Sequence, residues 1–394
     1  MAKATIEEVA NLAGVSPSSV SRSLRDVGGV SAKTTKRVRE AAEQLGYSAS
    51  PAASRLATGR TGTLAIVMPN LTRWFFAELL GGVEQVVREA GLDLLVHHLG
   101  DTETRRGYFS SGLLRKRVDG VLLVTLALTE PEIDALMALD VPVCMVGTDV
   151  EGFSSIRIDD VQSASTAVRH LLNLGHRRIG LISGAPDEPM HFTVPVHRRF
   201  GYRAALETAG IPADRELEVH GDFTIRGGDE ATTQLLGRDD LPTAIFAESD
   251  EMAFGALRAL RRVGLRVPAD ISVVGFDDHP MAEYFELTTM SQDVREQGRQ
   301  VAQQLVAAVS RPDGAPVTRL HAPTRLVVRG TTAVLGAERR WAPPLPEAGN
   351  RSVPGQGTEH QGPFEGRGGS GSRARGRQSA RNQKERRGQQ PLAT

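Results

Sequence analysis

Between Thr63 and about Thr332, short apolar, β-branched runs alternate with stretches of helical period, a pattern that points to β-α-β units and a largely parallel sheet. The runs are TLAIVMP at 63–69, LDLLVH at 92–97, DGVLLV at 119–124, VPVCMV at 141–146, RIGLIS at 178–183, TAIFA at 243–247 and DISVVGF at 270–276. Helical patterns lie between them, at Phe75 to Ala90, Ala164 to Leu174, Glu251 to Val263 and Val294 to Val309. Periodicity leaves one sheet and two lobes equally open. The 394 residues are 40% hydrophobic and 24% charged, enough apolar material for sizeable cores and too much for general disorder. The one cysteine, Cys144, excludes an internal disulfide framework and a cysteine-cluster zinc site, and its place in VPVCMV reads as buried core.

The first sixty residues show helix-sized segments and no strand pattern. In IEEVANLAGVSPSSVSRSLR, residues 6–25, Ile6, Val9, Ala10 and Ala13 recur at helical spacing, Gly14 supplies a turn, and Val15, Val20 and Leu24 form the apolar side of a second helix. Ser16 suits the cap of that helix and Pro17 its first turn. The remaining face carries Ser18, Ser21, Arg22 and Arg25 at i, i+3, i+4 and i+7, so hydroxyls and guanidinium groups project together, as contacts to phosphates and base edges require. A third helical stretch runs from Ser31 to Leu45, with Gly46 ending it. Lys+Arg and Asp+Glu balance at 47 each over the chain. Up to residue 60, however, Lys3, Arg22, Arg25, Lys33, Lys36, Arg37, Arg39, Arg55 and Arg60 outnumber Glu7, Glu8, Asp26, Glu40 and Glu43. So small a helical unit buries little surface and leans on DNA or on the larger body for order.

Between these textures lies SPAASRLATGR, residues 50–60. Ser50 suits a cap, Pro51 the first helical position and Gly59 the end, giving barely two turns, which need a packing partner to persist in water. Leu56, between Arg55 and Arg60, either finds that partner on DNA or packs on the body as part of a plain linker. From about Ala337 the chain turns rich in Gly, Pro, Arg, Gln and Ser without apolar heptads, which predicts a disordered basic tail over 337–394. Its arginines either add non-specific affinity for phosphates or are simply solvated. No signal-peptide run opens the sequence and no stretch reaches transmembrane length, so a cytoplasmic location is expected.

Taken in order, these segments closely resemble the LacI/GalR family of bacterial transcription regulators over roughly residues 5–332. TIEEVANLAGVSPSSVSRSLRDVGGVSAKTTKRVREAAEQLGY resembles that family's DNA-binding headpiece, and SPAASRLATGR is similar to its hinge helix. NLTRWFFAELLGGVE, NLGHRRIGLISG, RRFGYRAAL, AESDEMAFGALRAL, VVGFDD and LTTMSQ resemble its core signatures. The resemblance implies an all-α helix-turn-helix headpiece over 1–49, a hinge helix and linker over 50–61, and a two-lobed α/β core with parallel sheets, like periplasmic sugar-binding proteins, over 62–336. The N-lobe would span about 62–160 and 291–322 and the C-lobe about 161–290 and 323–336, with three crossings between them.

The same resemblance implies DNA contacts at Thr5, Ser16, Pro17, Ser18, Ser21, Arg22 and Arg25, and in the hinge at Ala53, Arg55 and Leu56, with Leu56 wedged into the minor groove. With Pro17 and Ser18 heading the recognition helix, direct readout is modest and falls to Arg22 and to central-step deformability. Effector contacts carry over to Trp74, Phe75, Phe76, Arg198, Ser249, Asp250 and Asp277. A carboxylate accepts from vicinal hydroxyls, a guanidinium donates, and a ring covers the apolar face of a pyranose, so the set suits a polyhydroxylated ligand. At least one of Phe75 and Phe76 also reads as core, and Asp250 as the cap of the following helix. Arg73 and Trp74 replace an asparagine and proline common in the family, and Ser249 an asparagine, which changes the size and charge of the cleft mouth.

The expected protein is a homodimeric repressor of a palindromic double-stranded operator, controlled by a small molecule, a sugar or sugar derivative. The alternative within the family is a co-repressor-activated regulator with a non-sugar ligand such as a nucleobase. No cofactor, metal ligand, catalytic residue or membrane partner is implied: the sequence has no nucleophile elbow, phosphate-binding glycine loop or metal-spaced histidine pair. An enzyme would use the cleft carboxylates as general acid and base, but Asp277, Asp278 and His279 read as turn chemistry and ligand hydrogen bonding. A pure sugar-binding protein would have no use for the headpiece.

Overall fold

A computed structural model describes residues 4–24, 29–47, 60–185, 190, 192–311 and 315–336. Arg25, the hinge stretch with Ala53, Arg55 and Leu56, and the expected tail over 337–394 lie outside the described residues. The headpiece is α1 (Ile6–Ala13), α2 (Pro17–Leu24) and α3 (Ala32–Gln44). Thr5 and Glu8 close a capping box at the start of α1: the Thr5 N–H donates to Glu8 Oε2 at 2.8 Å and the Glu8 N–H to Thr5 Oγ1 at 3.3 Å. Gly14 ends α1 at φ +64°, a left-handed conformation that costs glycine little, and the chain doubles back into α2. Ser16 Oγ accepts from the Ser19 N–H at 3.3 Å, and Ser31 caps α3 through the Thr34 N–H. Val9, Ala10, Ala13, Val20, Val38, Ala41 and Ala42 form the small core.

The chain next runs through β1 (Thr63–Met68), α4 (Trp74–Glu89), β2 (Asp93–His98), α5 (Thr102–Ser110), β3 (Gly120–Val124), α6 (Glu130–Met137), β4 (Val143–Val146) and β5 (Ser154–Arg157). It continues through α7 (Asp160–Asn173), β6 (Ile179–Ser183), α8 (Val194–Thr208), β7 (Glu218–His220), α9 (Ile225–Leu236), β8 (Ala244–Ala247), α10 (Asp250–Arg262), β9 (Ser272–Asp277), α11 (Met281–Tyr284) and β10 (Thr288–Gln292). Finally come α12 (Val294–Ser310), β11 (Arg319–His321) and β12 (Thr324–Val327).

Two six-stranded sheets result, β11-β5-β4-β3-β1-β2 and β12-β10-β9-β8-β6-β7, parallel throughout except for the antiparallel β10–β12 pair. Two lobes are therefore the answer that periodicity left open. The chain passes between them three times, after β5, after β10 and between β11 and β12. β1 is buried along its whole length because helices cover both faces of a parallel sheet, which is why it reads as an uninterrupted apolar run. On one face Leu64, Ile66 and Met68 pack with residues of α4 and α12; on the other Ala65 and Val67 pack with Leu114, Val118 and Leu136.

α4 and α12 cross closely at glycines: a Cβ on Gly82 would meet the backbone oxygen of Arg295, and one on Gly298 that of Leu79. Cys144 is buried in the N-lobe core, and burial pushes its thiol up to about 12, so it stays protonated and unreactive. No helix among the described residues is long and apolar enough to cross a membrane.

Candidate functional site

Parallel strands end together, and the loops leaving their carboxyl ends converge. Both sheets send such loops to one cavity of about 750 Å³, open mouth included. The N-lobe contributes Arg73, Phe75 and Phe76 from the start of α4, Thr125 after β3, and Val146 and Gly147 at the end of β4. The C-lobe contributes Phe192, Arg198, Phe223, Ser249, Glu251 and Asp277, and Asp160, Gln292 and Gln297 lie at or beside the crossings.

Arg198 is 4% exposed and held on three sides. Its Nε donates to Asp160 Oδ1 at 2.8 Å, its Nη1 donates to the Glu248 carbonyl, and its guanidinium carbon lies 3.5 Å from the centroid of the Phe276 ring. Asp277 ends β9 at φ +115° and Asp278 follows at φ +58°, conformations that L-residues adopt only under constraint and that cluster at binding sites. Gln297 Nε2 donates to Gln292 Oε1 at 3.0 Å, and Gln292 Nε2 donates to Asp277 Oδ1 at 2.7 Å, so one polar chain aims the carboxyl group. Burial pushes the Asp277 pKa up to about 7, against the pull of Arg198 and of the Gln292 hydrogen bond; Glu251 and Asp160 push the same way as burial. The Arg198 charge is mostly answered by Asp160, at 2.8 Å against 3.8 Å for Asp277. Burial likewise raises Glu251, opposed by Arg73 across the mouth.

Of the seven effector contacts expected from the sequence, Phe75, Phe76, Arg198, Ser249 and Asp277 line the cavity. Phe76 does so while packing in the N-lobe core. Trp74 and Asp250 are not in the lining. Successive helical residues point about 100° apart, so Trp74 turns away from Phe75 and Phe76 and packs in a tilted contact against His279, ring centroids 4.9 Å apart. Asp250 lies beneath the cavity, where its Oδ1 accepts from Thr289 Oγ1 at 2.6 Å and its Oδ2 from the His279 N–H at 2.8 Å. It does not cap α10; Ser249 does, through the Met252 N–H.

The sequence did not single out Thr125, Asp160, Phe192, Phe223, Glu251, Gln292 or Gln297 as lining residues. Gln292 closes the LTTMSQ stretch and Glu251 follows Asp250, two signals that were present; Phe192 and Phe223 sit in loops with no periodicity to mark them. On the headpiece, Thr5, Ser16, Pro17, Ser18 and Arg22 are exposed and Ser21 is half-buried. Arg22 Nε donates to the Ser18 carbonyl at 3.4 Å, which lays the guanidinium along the outer face of α2 while Val20 and Ser23 are buried behind it.

Residues 5–50 match the family model described as bacterial regulatory proteins, lacI family, and residues 168–332 that of a periplasmic binding protein-like domain. The HTH-type transcriptional regulator CelR of Thermobifida fusca is 37% identical over 338 residues, 82% of this chain and 97% of CelR. The solved complex of the transcriptional regulator CelR with cellobiose covers 84% of this chain and 100% of its own, at 33% identity and a TM-score of 0.62. The lac repressor dimer bound to operator and the anti-inducer ONPF covers the same shares at 29% identity and a TM-score of 0.74. These relatives are regulators rather than enzymes, and they share both the headpiece and the two-sheet core. The chain belongs to the LacI family of bacterial regulatory proteins.

Proposed function

We propose that this protein is a dimeric transcriptional repressor whose hold on a palindromic operator is set by a sugar or sugar derivative bound between its lobes. The observation that carries this is the pairing, in one cavity, of fixed polar groups (Arg198, Asp277, Gln292) with the rings of Phe75, Phe76, Phe192 and Phe223. Carboxylate and amide groups accept and donate to hydroxyls while rings cover C–H faces, the two demands of a pyranose. The CelR–cellobiose complex supports the ligand class.

A headpiece with one exposed α2 face reads only a few base pairs, so specificity calls for two copies and a two-fold operator. The C-lobe exposes Ile225, Met281, Tyr284 and Phe285, of which Ile225, Met281 and Phe285 line one recess, an apolar face suited to a second copy. Leu56 of the hinge stretch would enter the minor groove at the operator centre. A ligand touching Phe75 and Phe76 from one lobe and Arg198 and Asp277 from the other favours one lobe spacing over the rest, and that preference is what shifts the DNA-binding equilibrium.

Calorimetric titration with neutral mono- and disaccharides, cellobiose first, tests this. At least one is expected to bind the wild-type protein and to lose binding in Asp277→Ala, while the variant keeps its operator affinity. No binding by any of them, or equal binding by wild type and variant, would overturn it.

A further inference from the structure

The N-lobe carries a basic turn at the end opposite its contribution to the cavity. β1, β2 and β3 begin together there, with Thr63 level with Asp93 and Leu64 with Gly120. The chain arrives from the headpiece at Arg60, and Asp119 anchors it: its Oδ1 accepts from the Thr61 N–H and its Oδ2 from the Gly62 N–H, each at 2.7 Å. Immediately before Asp119, Leu114 and Val118 are buried in the N-lobe core, and the three residues between them, Arg115, Lys116 and Arg117, are all exposed cations. The Arg117 N–H donates to the Leu114 carbonyl at 3.1 Å and Lys116 sits at φ +56°, so the turn is closed and pinned at both ends. None of the three forms a salt bridge among the described residues. Arg60 and Arg311 add two cations at this end, against the exposed acids Asp93 and Asp140.

We infer that the turn Arg115–Lys116–Arg117 is a second DNA contact, made by the N-lobe to backbone phosphates; this rests on the operator-binding function proposed above. Twelve residues lie between Tyr47, the last described residue of the headpiece, and Arg60. Whatever path they take, the thirteen Cα–Cα steps reach at most about 47 Å, so the headpiece and any duplex it grips are tethered to the end of the N-lobe where the turn lies. Flexible cations on a turn, with no helix or strand to enter a groove, pair with phosphates and carry no sequence information. Each phosphate so neutralised steepens the salt dependence of binding by about 0.9 in log–log slope.

The test is the full-length chain with Arg115→Gln, Lys116→Gln and Arg117→Gln together, titrated by fluorescence anisotropy between 50 and 200 mM salt, roughly the range over which phosphate contacts show their effect. One duplex is a palindrome selected from random sequence by the wild-type protein, and the other is its scrambled form. A slope shallower by at least about 1 is expected, with both duplexes weakened by the same factor so that the preference between them survives. The same charge change on the C-lobe, at Arg169, Arg215 and Arg226, is expected to leave the slope alone. An unchanged slope in a triple variant that melts with the wild type and still prefers the palindrome overturns the inference while operator binding stands. Absence of any preference in the wild type is instead the failure of operator binding itself. An unchanged slope with a weakened dimer on sedimentation also overturns it, assigning the turn to a contact with a second copy.

Discussion

Asp277 concentrates the chemistry of the cavity in one carboxyl group. In the folded chain it keeps its proton up to about pH 7, whereas an unfolded aspartate releases it near pH 4. Between those values the folded state binds more protons than the unfolded, so this residue makes stability fall as pH rises through the window and level off above it. Glu248 and Asp250, raised by burial, act with the same sign. Asp277→Asn is therefore expected to flatten the melting temperature against pH between about 4 and 7 without abolishing the slope, as read by thermal melts across that range. Arg198 and Asp277 were legible through the RRFGYRAAL and VVGFDD stretches that carry the family resemblance. The division of labour between Ser249 and Asp250 was not: both suit a helix cap, and the choice follows from the extended backbone of Ser249, φ −150°, which composition does not reveal. Trp74 entered the site only through the family resemblance; it lies against His279 and outside the cavity lining, a direction fixed by the roughly 100° steps of the helix and not by a motif match.

At the scale of elements, strands covered on both faces declared themselves as apolar runs, as in β1, β3, β4, β6, β8 and β9. Short strands at the sheet edges stayed hidden. β7, β11 and β12 are three or four residues long at the edges of their sheets, where half-exposed positions admit Glu, His, Arg and Thr. β10 is buried yet polar, because Thr289 donates to Asp250 while the Thr288 N–H and hydroxyl pair with the Thr331 and Thr332 hydroxyls. The α4–α12 crossing was also invisible, since LLGG reads as ordinary helix until its partner is in place. Gly298→Ala puts a methyl group against the Leu79 backbone oxygen, which cannot rotate aside. A cost of about 1–3 kcal/mol is expected, visible as a lowered denaturation midpoint with an unchanged m-value.

On the scale of the whole molecule, three chain crossings join two lobes that share one cavity, so a single ligand bound there would touch both. Periodicity showed the α/β class but not the lobes, because lobe membership depends on which strands pair, and pairing partners lie far apart in the chain. If the cavity governs DNA binding, its ligand must bind the two functional states with different affinity, and the difference appears in full as a shift in operator affinity. The decisive measurement is the dissociation constant of the selected palindrome, by anisotropy at fixed salt, with and without saturating amounts of the sugar that titrates into the cavity. A shift of at least about fivefold is expected in the wild-type protein and none in Asp277→Ala, whose affinity without sugar stays that of the wild type. A sugar that saturates the wild-type cavity and leaves the operator constant unchanged would contradict the proposed control of DNA binding by the cleft.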